Sequence, residues 1–173
     1  MTLNFTPMTE TDARDILAWR YDGQYAVYNA PDSALDPDSG ELRELLDARS
    51  PYFAVRERGQ ADGAPMGFFA YGSAGEVGGE APEPRLLRPD GSLTIGLGLR
   101  PDLTGQGHGL ALVEMGLAFA RERYQPMLFR LHVFAWNERA IRVYERAGFA
   151  AVGRTIVPAS DGERVFIEMT RPV

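Results

Sequence analysis

Hydrophobic and polar positions along this chain recur with periods that switch at identifiable residues. Residues 3–6 read as a short strand, after which Thr9 stands where a helix cap is wanted, ahead of Ala13, Ile16 and Leu17 on one helical face. An aromatic connector runs from Trp19 through Tyr21, Tyr25 and Tyr28 to Asn29 and leads into a Pro- and Asp-rich turn region over 30–38. Ser39 precedes a second helix over 41–48, whose Leu42, Leu45 and Leu46 fall at helical spacing. Strand patterns follow at 52–58 and 66–71, joined by the Gly- and Pro-containing connection 59–65. Residues 72–91, with Pro82, Pro84 and Pro89 and little periodicity, are expected to form a mobile loop.

The second half is more regular. Residues 92–99 read as a strand, and beyond a glycine-spaced turn Leu110, Val113, Leu117, Ala120 and Tyr124 lay one apolar stripe along a helix that Gln125-Pro126 stops. Residues 127–134 set Phe129, Leu131 and Val133 against Arg130, His132 and Phe134, a strand with two different faces. Asn137 caps a helix over 138–146 that ends at Gly148, and the chain closes with strands 150–157 and 164–169 around a turn at 158–162. Strands interleaved with helices in this order predict an α/β sandwich of mixed strand direction.

Composition narrows the chemistry. At 173 residues the chain is expected to form one domain over 1–173, and with no Cys it has no thiol nucleophile, thiolate metal site or disulfide. A net charge of -6 without a block of Arg argues against nucleic acid as a partner. No apolar run reaches membrane-spanning length and the N-terminus lacks a signal-peptide pattern, so the expectation is a soluble protein with no membrane partner, located in the cytoplasm. Two His without spaced carboxylate or Cys partners predict no metal site.

The chemistry converges where the strand ending at Leu97, Gly98 and Leu99 meets Thr104, Gly105, Gln106, Gly107, His108, Gly109 and Leu110. Glycines at alternate positions let backbone N–H groups turn inward, and the helix that follows adds its unpaired N-terminal donors and positive dipole end, so the stretch should grip an anion. A Walker loop would continue with Lys-Ser/Thr, but Leu110-Ala111 follows and the chain has no Lys. A dinucleotide fingerprint would space its glycines G-x-G-x-x-G, which this stretch does not.

Thr104 to Gly109 is similar to the Arg/Gln-x-x-Gly-x-Gly/Ala motif of the GCN5-related N-acetyltransferases (GNAT), with Thr104 replacing Arg or Gln. Asn137, Ala140, Tyr144, Gly148 and Phe149 match that family's Asn-x-x-Ala-x-x-x-Tyr-x-x-x-Gly-Phe, and the resemblance covers nearly the whole chain. It implies a mixed, mostly antiparallel central sheet flanked by helices, and transfer of acetyl from acetyl coenzyme A by direct attack of a primary amine, carried on a small molecule or a peptide. The glycine stretch would hold the pyrophosphate and Thr104 could offer a hydroxyl. Leu97, Gly98 and Leu99 would lend backbone groups to the pantetheine arm, Asn137 would contact that arm, and Tyr144 would act as general acid toward the departing thiolate. A non-catalytic acyl-coenzyme A-binding module is the alternative, and a homodimer is open.

The base is not legible. An amine with a pKa of about 10.4 must shed a proton, which costs roughly 4 to 5 kcal/mol at neutral pH. Residues 93–99 carry no carboxylate, while Glu76, Glu80 and Asp90 lie on the loop and Asp22 on the connector. A water chain is an equal candidate. His108 reads as a solvent-facing loop residue, and His132 is a secondary candidate for proton relay if it faces the cleft. The aromatic connector and the loop over 72–91 are expected to build the acceptor site, and the acidic balance favours a cationic acceptor.

Overall fold

The computed structural model describes residues 2–49, 51–59, 63–77, 84–160 and 162–173. Among these, seven strands form one sheet in the order β1-β2-β3-β4-β5-β7-β6. They are β1 (Leu3–Pro7), β2 (Tyr52–Glu57), β3 (Gly67–Tyr71), β4 (Ser92–Leu99), β5 (Leu128–Phe134), β6 (Ala150–Ala159) and β7 (Gly162–Pro172). Every neighbouring pair is antiparallel except β4 and β5, which run parallel. The helices are α1 (Glu10–Leu17), α2 (Gly40–Leu45), α3 (His108–Tyr124) and α4 (Glu138–Arg146).

Local chemistry accounts for the boundaries. Thr9 and Asp12 form a reciprocal capping box at the start of α1, with both bonds at 3.2 Å. Asp12 also forms a buried ion pair with Arg56 on β2, whose guanidinium reaches the Gly63 carbonyl and the Thr6 hydroxyl as well. This clamp ties α1 to the first two strands and leaves no side-chain charge of Arg56 unanswered. Ser39 caps α2 through Leu42 N–H.

α3 and α4 cover one face of the sheet, with Leu93, Ile95, Leu112, Leu117, Phe129 and Leu131 at the centre of its core. α1 and α2 cover the other through Ala13, Ile16, Leu17, Leu42 and Leu45, packed with Trp19, Tyr52 and Phe68. Register fixes which strand positions face which side. Leu93 pairs with Phe129 in the α3 core, so Thr94 and Arg130, and the alternating residues beyond them, face the α1 side.

Three sequence expectations need correcting. α2 stops at Leu45, and Leu46 is 40% exposed, because the Leu46 N–H closes a tighter terminal turn on Arg43 and turns its side chain off the buried face. Pro158 and Ala159 belong to β6 and not to the turn; Pro158 pairs with Glu163 on an edge strand, where a missing N–H is tolerated. The described parts of 72–91 are not structureless: Gly72–Gly75 is a 3₁₀ turn, Ser73 N–H bonds the Arg85 carbonyl at 2.8 Å, and Leu87 bridges to Leu93. Glu80 lies outside the described residues.

Candidate functional site

Parallel pairing of β4 with β5 covers only Ser92 to Thr94 against Leu128 to Arg130. Beyond it the strands splay, and β4 passes from fully buried at Ser92 to Ile95 to half-buried at Gly96 to Leu99. The splay opens a cleft of about 740 Å³ that joins the two faces of the sheet. Arg100 N–H bonds the Met66 carbonyl, so in the antiparallel alternation Gly98 turns its backbone groups to β3 while Leu97 and Leu99 turn theirs into the gap. The Leu99 carbonyl already accepts from the Tyr21 hydroxyl at 2.8 Å, which leaves Leu97 and the Leu99 N–H as the open groups on this edge. Burial, and secondarily Tyr28, pushes the Tyr21 pKa up to about 12.

At one mouth of the cleft, Thr104, Gly105, Gly107, Gly109 and Leu110 form the wall. Gly105 and Gly107 adopt φ of +77° and +86°, and Gly107 caps α3, whose first-turn N–H groups at His108, Gly109 and Leu110 have no partner within the helix. Gly109 is different: it is helical, and a Cβ there would meet Val143 of α4 at an ordinary 3.5 Å. So two glycines, not three, are demanded by the backbone. The Thr104 hydroxyl donates to the Pro101 carbonyl at 2.8 Å, so its proton is committed to the turn and not free for a phosphate. The Gln106 side chain folds back onto the Asp102 carbonyl, and the side chains of Gln106 and His108 are not on the cleft wall.

α4 contributes from above. Asn137 is buried; its amide oxygen accepts from Ala140 N–H at 3.1 Å and its nitrogen donates to the Tyr28 hydroxyl at 2.8 Å. Tyr144 is half-buried on the cleft wall, its ring edge-on to Phe149. No hydrogen bond to its hydroxyl is found among the described residues. Burial, reinforced by Tyr28, pushes its pKa well above the usual phenol value. Arg139 and Arg146 also line the cleft, Arg139 stacked 4.3 Å over the Tyr25 ring. With Arg142 they border an adjoining cavity of about 580 Å³. Sequence reasoning passed over these arginines, although their spacing along α4 placed them on one side of the helix.

The α1 side of the gap explains why no carboxylate stands on β4. Its positions there are Thr94, Gly96 and Gly98. A Cβ on Gly98 would lie 2.3 Å from the Phe68 ring, and one on Gly96 would press on Gly75, whose turn lies against the strand. Across the gap, the face shared by Arg130 places His132 on the cleft wall. Its Nδ1 is buried without a hydrogen-bond partner among the described residues. Burial, then Arg130, holds the His132 pKa below the usual imidazole value, with Glu76 opposing and Arg88 reinforcing the effect. Glu76 also lines the cleft, held by Arg88 at 3.3 Å and Arg85 at 3.6 Å. Asp90 is bonded to Ser92 and paired with Arg130, off the wall. Among the described residues no group of three or more His, Cys, Asp or Glu could hold a metal, and no helix is long and apolar enough to cross a membrane.

A mixed sheet that splays at its one parallel pair, with a glycine-led helix N-terminus at the opening, defines an acyl-coenzyme A transferase type of fold. The sequence pattern of the Acetyltransferase (GNAT) family matches residues 12–149, and the chain belongs to that family. The mycothiol acetyltransferase of Streptomyces coelicolor is 35% identical over 136 residues, which cover 74% of this chain and 39% of that protein. That of Propionibacterium freudenreichii is 39% identical over 69 residues, 40% of this chain and 22% of the relative. The chain therefore spans two fifths or less of the length of these curated relatives. Among solved structures, a chimera of spermidine N-acetyltransferase SpeG from Vibrio cholerae and hSSAT superposes with a TM-score of 0.71 at 16% identity, covering 99% of this chain and 96% of that one. AAC(6')-Ib in complex with ribostamycin and coenzyme A gives 0.71 at 21% identity, with 99% and 94% covered. At such identities these superpositions establish the fold.

Proposed function

We propose that this protein transfers the acetyl group of acetyl coenzyme A to an amine by direct attack, without a covalent enzyme intermediate. The observation that carries the reading is the gap between β4 and β5 opening at the N-terminus of α3. The coenzyme supplies an activated acetyl thioester. The N–H groups of Gly105, Gln106, Gly107, His108, Gly109 and Leu110 fit its pyrophosphate, aided by the helix dipole. Arg139 and Arg146 add positive charge beside that mouth. Leu97 and the Leu99 N–H fit a pantetheine amide as an added strand would, and Asn137 keeps one amide hydrogen and one lone pair for the same arm.

Tyr144 is the hydroxyl donor toward the departing sulfur. With its pKa raised above 10 and a thiol near 8.5, full proton transfer is uphill, so Tyr144 acts chiefly by a hydrogen bond that strengthens as the sulfur gains charge. His132, neutral at physiological pH and unpartnered at Nδ1, receives the amine proton from the opposite wall. Holding amine and thioester in one gap supplies most of the rate.

Thiol release from acetyl coenzyme A on addition of amines tests the reading. Release that falls about 10² to 10³-fold in Tyr144→Phe, with coenzyme affinity kept, supports it. Thermal stabilisation by coenzyme A with no thiol release for any amine would leave only the binding-module alternative.

A further inference from the structure

The cleft wall on the α1 side carries information about the acceptor that net charge does not. It is built from Ile16, Leu17, Trp19, Leu45, Tyr52 and Phe68, with the tyrosines of the connector beside them. The hydroxyls of Tyr21 and Tyr52 donate elsewhere, to the Leu99 carbonyl and, at 3.0 Å, to Glu44, while that of Tyr28 accepts from Asn137. What Tyr52 and Phe68 offer a ligand is ring face and ring edge, and Trp19 beside them adds a third ring. Trp19 and Tyr52 both tilt against Phe68, with ring centres 6.1 and 6.2 Å away.

Charge points the same way. Among the described residues the one carboxylate lining the cleft is Glu76, and its oxygens already lie within salt-bridge distance of Arg88 and Arg85. The other formal charges on the wall, Arg139 and Arg146, are positive. A molecule bearing several ammonium groups would have to desolvate them here against no unpaired carboxylate among the described residues, an unfavourable step for each unpaired ion. A single ammonium entering among aromatic rings is met by their π faces and then loses its proton for attack. Among the described residues the acidic surplus of the chain is not expressed on this wall.

Resting on the acetyl-transfer reading, we infer that the acceptor is a monoamine carried on an apolar, ring-bearing body, and not a polyamine or an aminoglycoside. The body packs against Trp19 and Phe68 while the amine points through the gap toward His132 and the thioester.

Isothermal titration of the coenzyme A-loaded protein with 2-phenylethylamine, spermidine and kanamycin, alongside thiol release with the same three amines, tests this. Saturable binding of 2-phenylethylamine at least about tenfold tighter than of the other two is expected, with kcat/KM in the same order. Trp19→Leu should weaken 2-phenylethylamine about tenfold, and Trp19→Phe, which keeps a ring and guards against a folding defect, should restore most of it. Tighter binding or faster turnover of spermidine or kanamycin would overturn the acceptor class while leaving acetyl transfer intact. Failure of 2-phenylethylamine to bind would also overturn the class. Binding of 2-phenylethylamine with no thiol release from any amine would uphold the class and overturn the transfer reading.

Discussion

The side-chain amide of Asn137 donates to the Tyr28 hydroxyl at 2.8 Å, joining the N-terminus of α4 to the aromatic connector across 109 positions of sequence. One bond therefore couples the side of the cleft assigned to the coenzyme with the side assigned to the acceptor. Tyr28→Phe removes it while keeping the ring that packs edge-on to Phe134. Stability should fall by about 0.5 to 1.5 kcal/mol, a Tm decrease of about 2 to 4 °C per kcal/mol for a chain of this size. An unchanged Tm by differential scanning calorimetry would mean that the bond contributes nothing.

His132 gives a pH signature. The charged groups around it are Arg130 on its own strand, Glu76 and Arg88 from the segment after β3, and Glu168 opposite it on β7, whose carboxylate is paired with Arg130. Since the folded pKa lies below 6.5, the unfolded chain binds the extra proton first, and stability falls as pH drops from about 6.5 through the folded value. Catalysis follows the same group. Below its pKa, log kcat/KM should rise with a slope of about 2, one proton from His132 and one from the amine, and above it with a slope of about 1. His132→Gln should show the shallower slope throughout. A steep acid limb surviving in that variant would assign the base elsewhere.

Gly107 and Gly109 should respond oppositely to the same change. Gly107→Ala forces a Cβ into φ +86°, at a cost of about 1 to 2 kcal/mol, and displaces N–H groups at the helix start. Coenzyme A affinity should drop with it. Gly109→Ala meets only Val143 at normal contact distance and gains up to about 1 kcal/mol of helix propensity. Equal loss of coenzyme affinity in both variants, by titration calorimetry, would refute this division.

Asp12→Ala should destabilise by about 3 to 5 kcal/mol, because Arg56 is left buried and unpaired. The double variant Asp12→Ala with Arg56→Met should recover a large part of that loss. Urea midpoints for the two proteins make the comparison. Recovery absent from the double variant would assign the loss to the α1 cap alone.

The strand and helix positions of this chain were readable because each half-buried element repeats at its own period: Phe129, Leu131 and Val133 go inward on β5, and Val113, Leu117 and Ala120 on α3, where the fully buried Leu112 lies outside the stripe of Leu110, Val113, Leu117, Ala120 and Tyr124 read from the sequence. The glycine turn was readable because positive φ leaves few residue choices. What stayed hidden depends on partners distant in sequence. That Gly98 is glycine on account of Phe68, that Gly75 leans on Gly96, and that Glu76 is neutralised by Arg85 and Arg88 are facts of packing between segments with no shared pattern. His132 illustrates the boundary: alternation placed it opposite Val133, but only the register with Thr94 shows that this side is the open gap.

The parallel seam has a consequence for how the molecule is assembled. β1 to β4 are joined pairwise by antiparallel neighbours in chain order, and β5 to β7 form a second set, so each half of the sheet can pair within itself. The contact between the halves must span all of α3 and yields three residue pairs. Its loop closure is comparable with those of β1–β2 and β5–β7, but its return in hydrogen bonds is the smallest in the sheet, which makes it the late step in folding. Amide exchange should then report two blocks of protection, with the backbone at the open end of β4 exchanging ahead of both and slowing when a ligand bridges them.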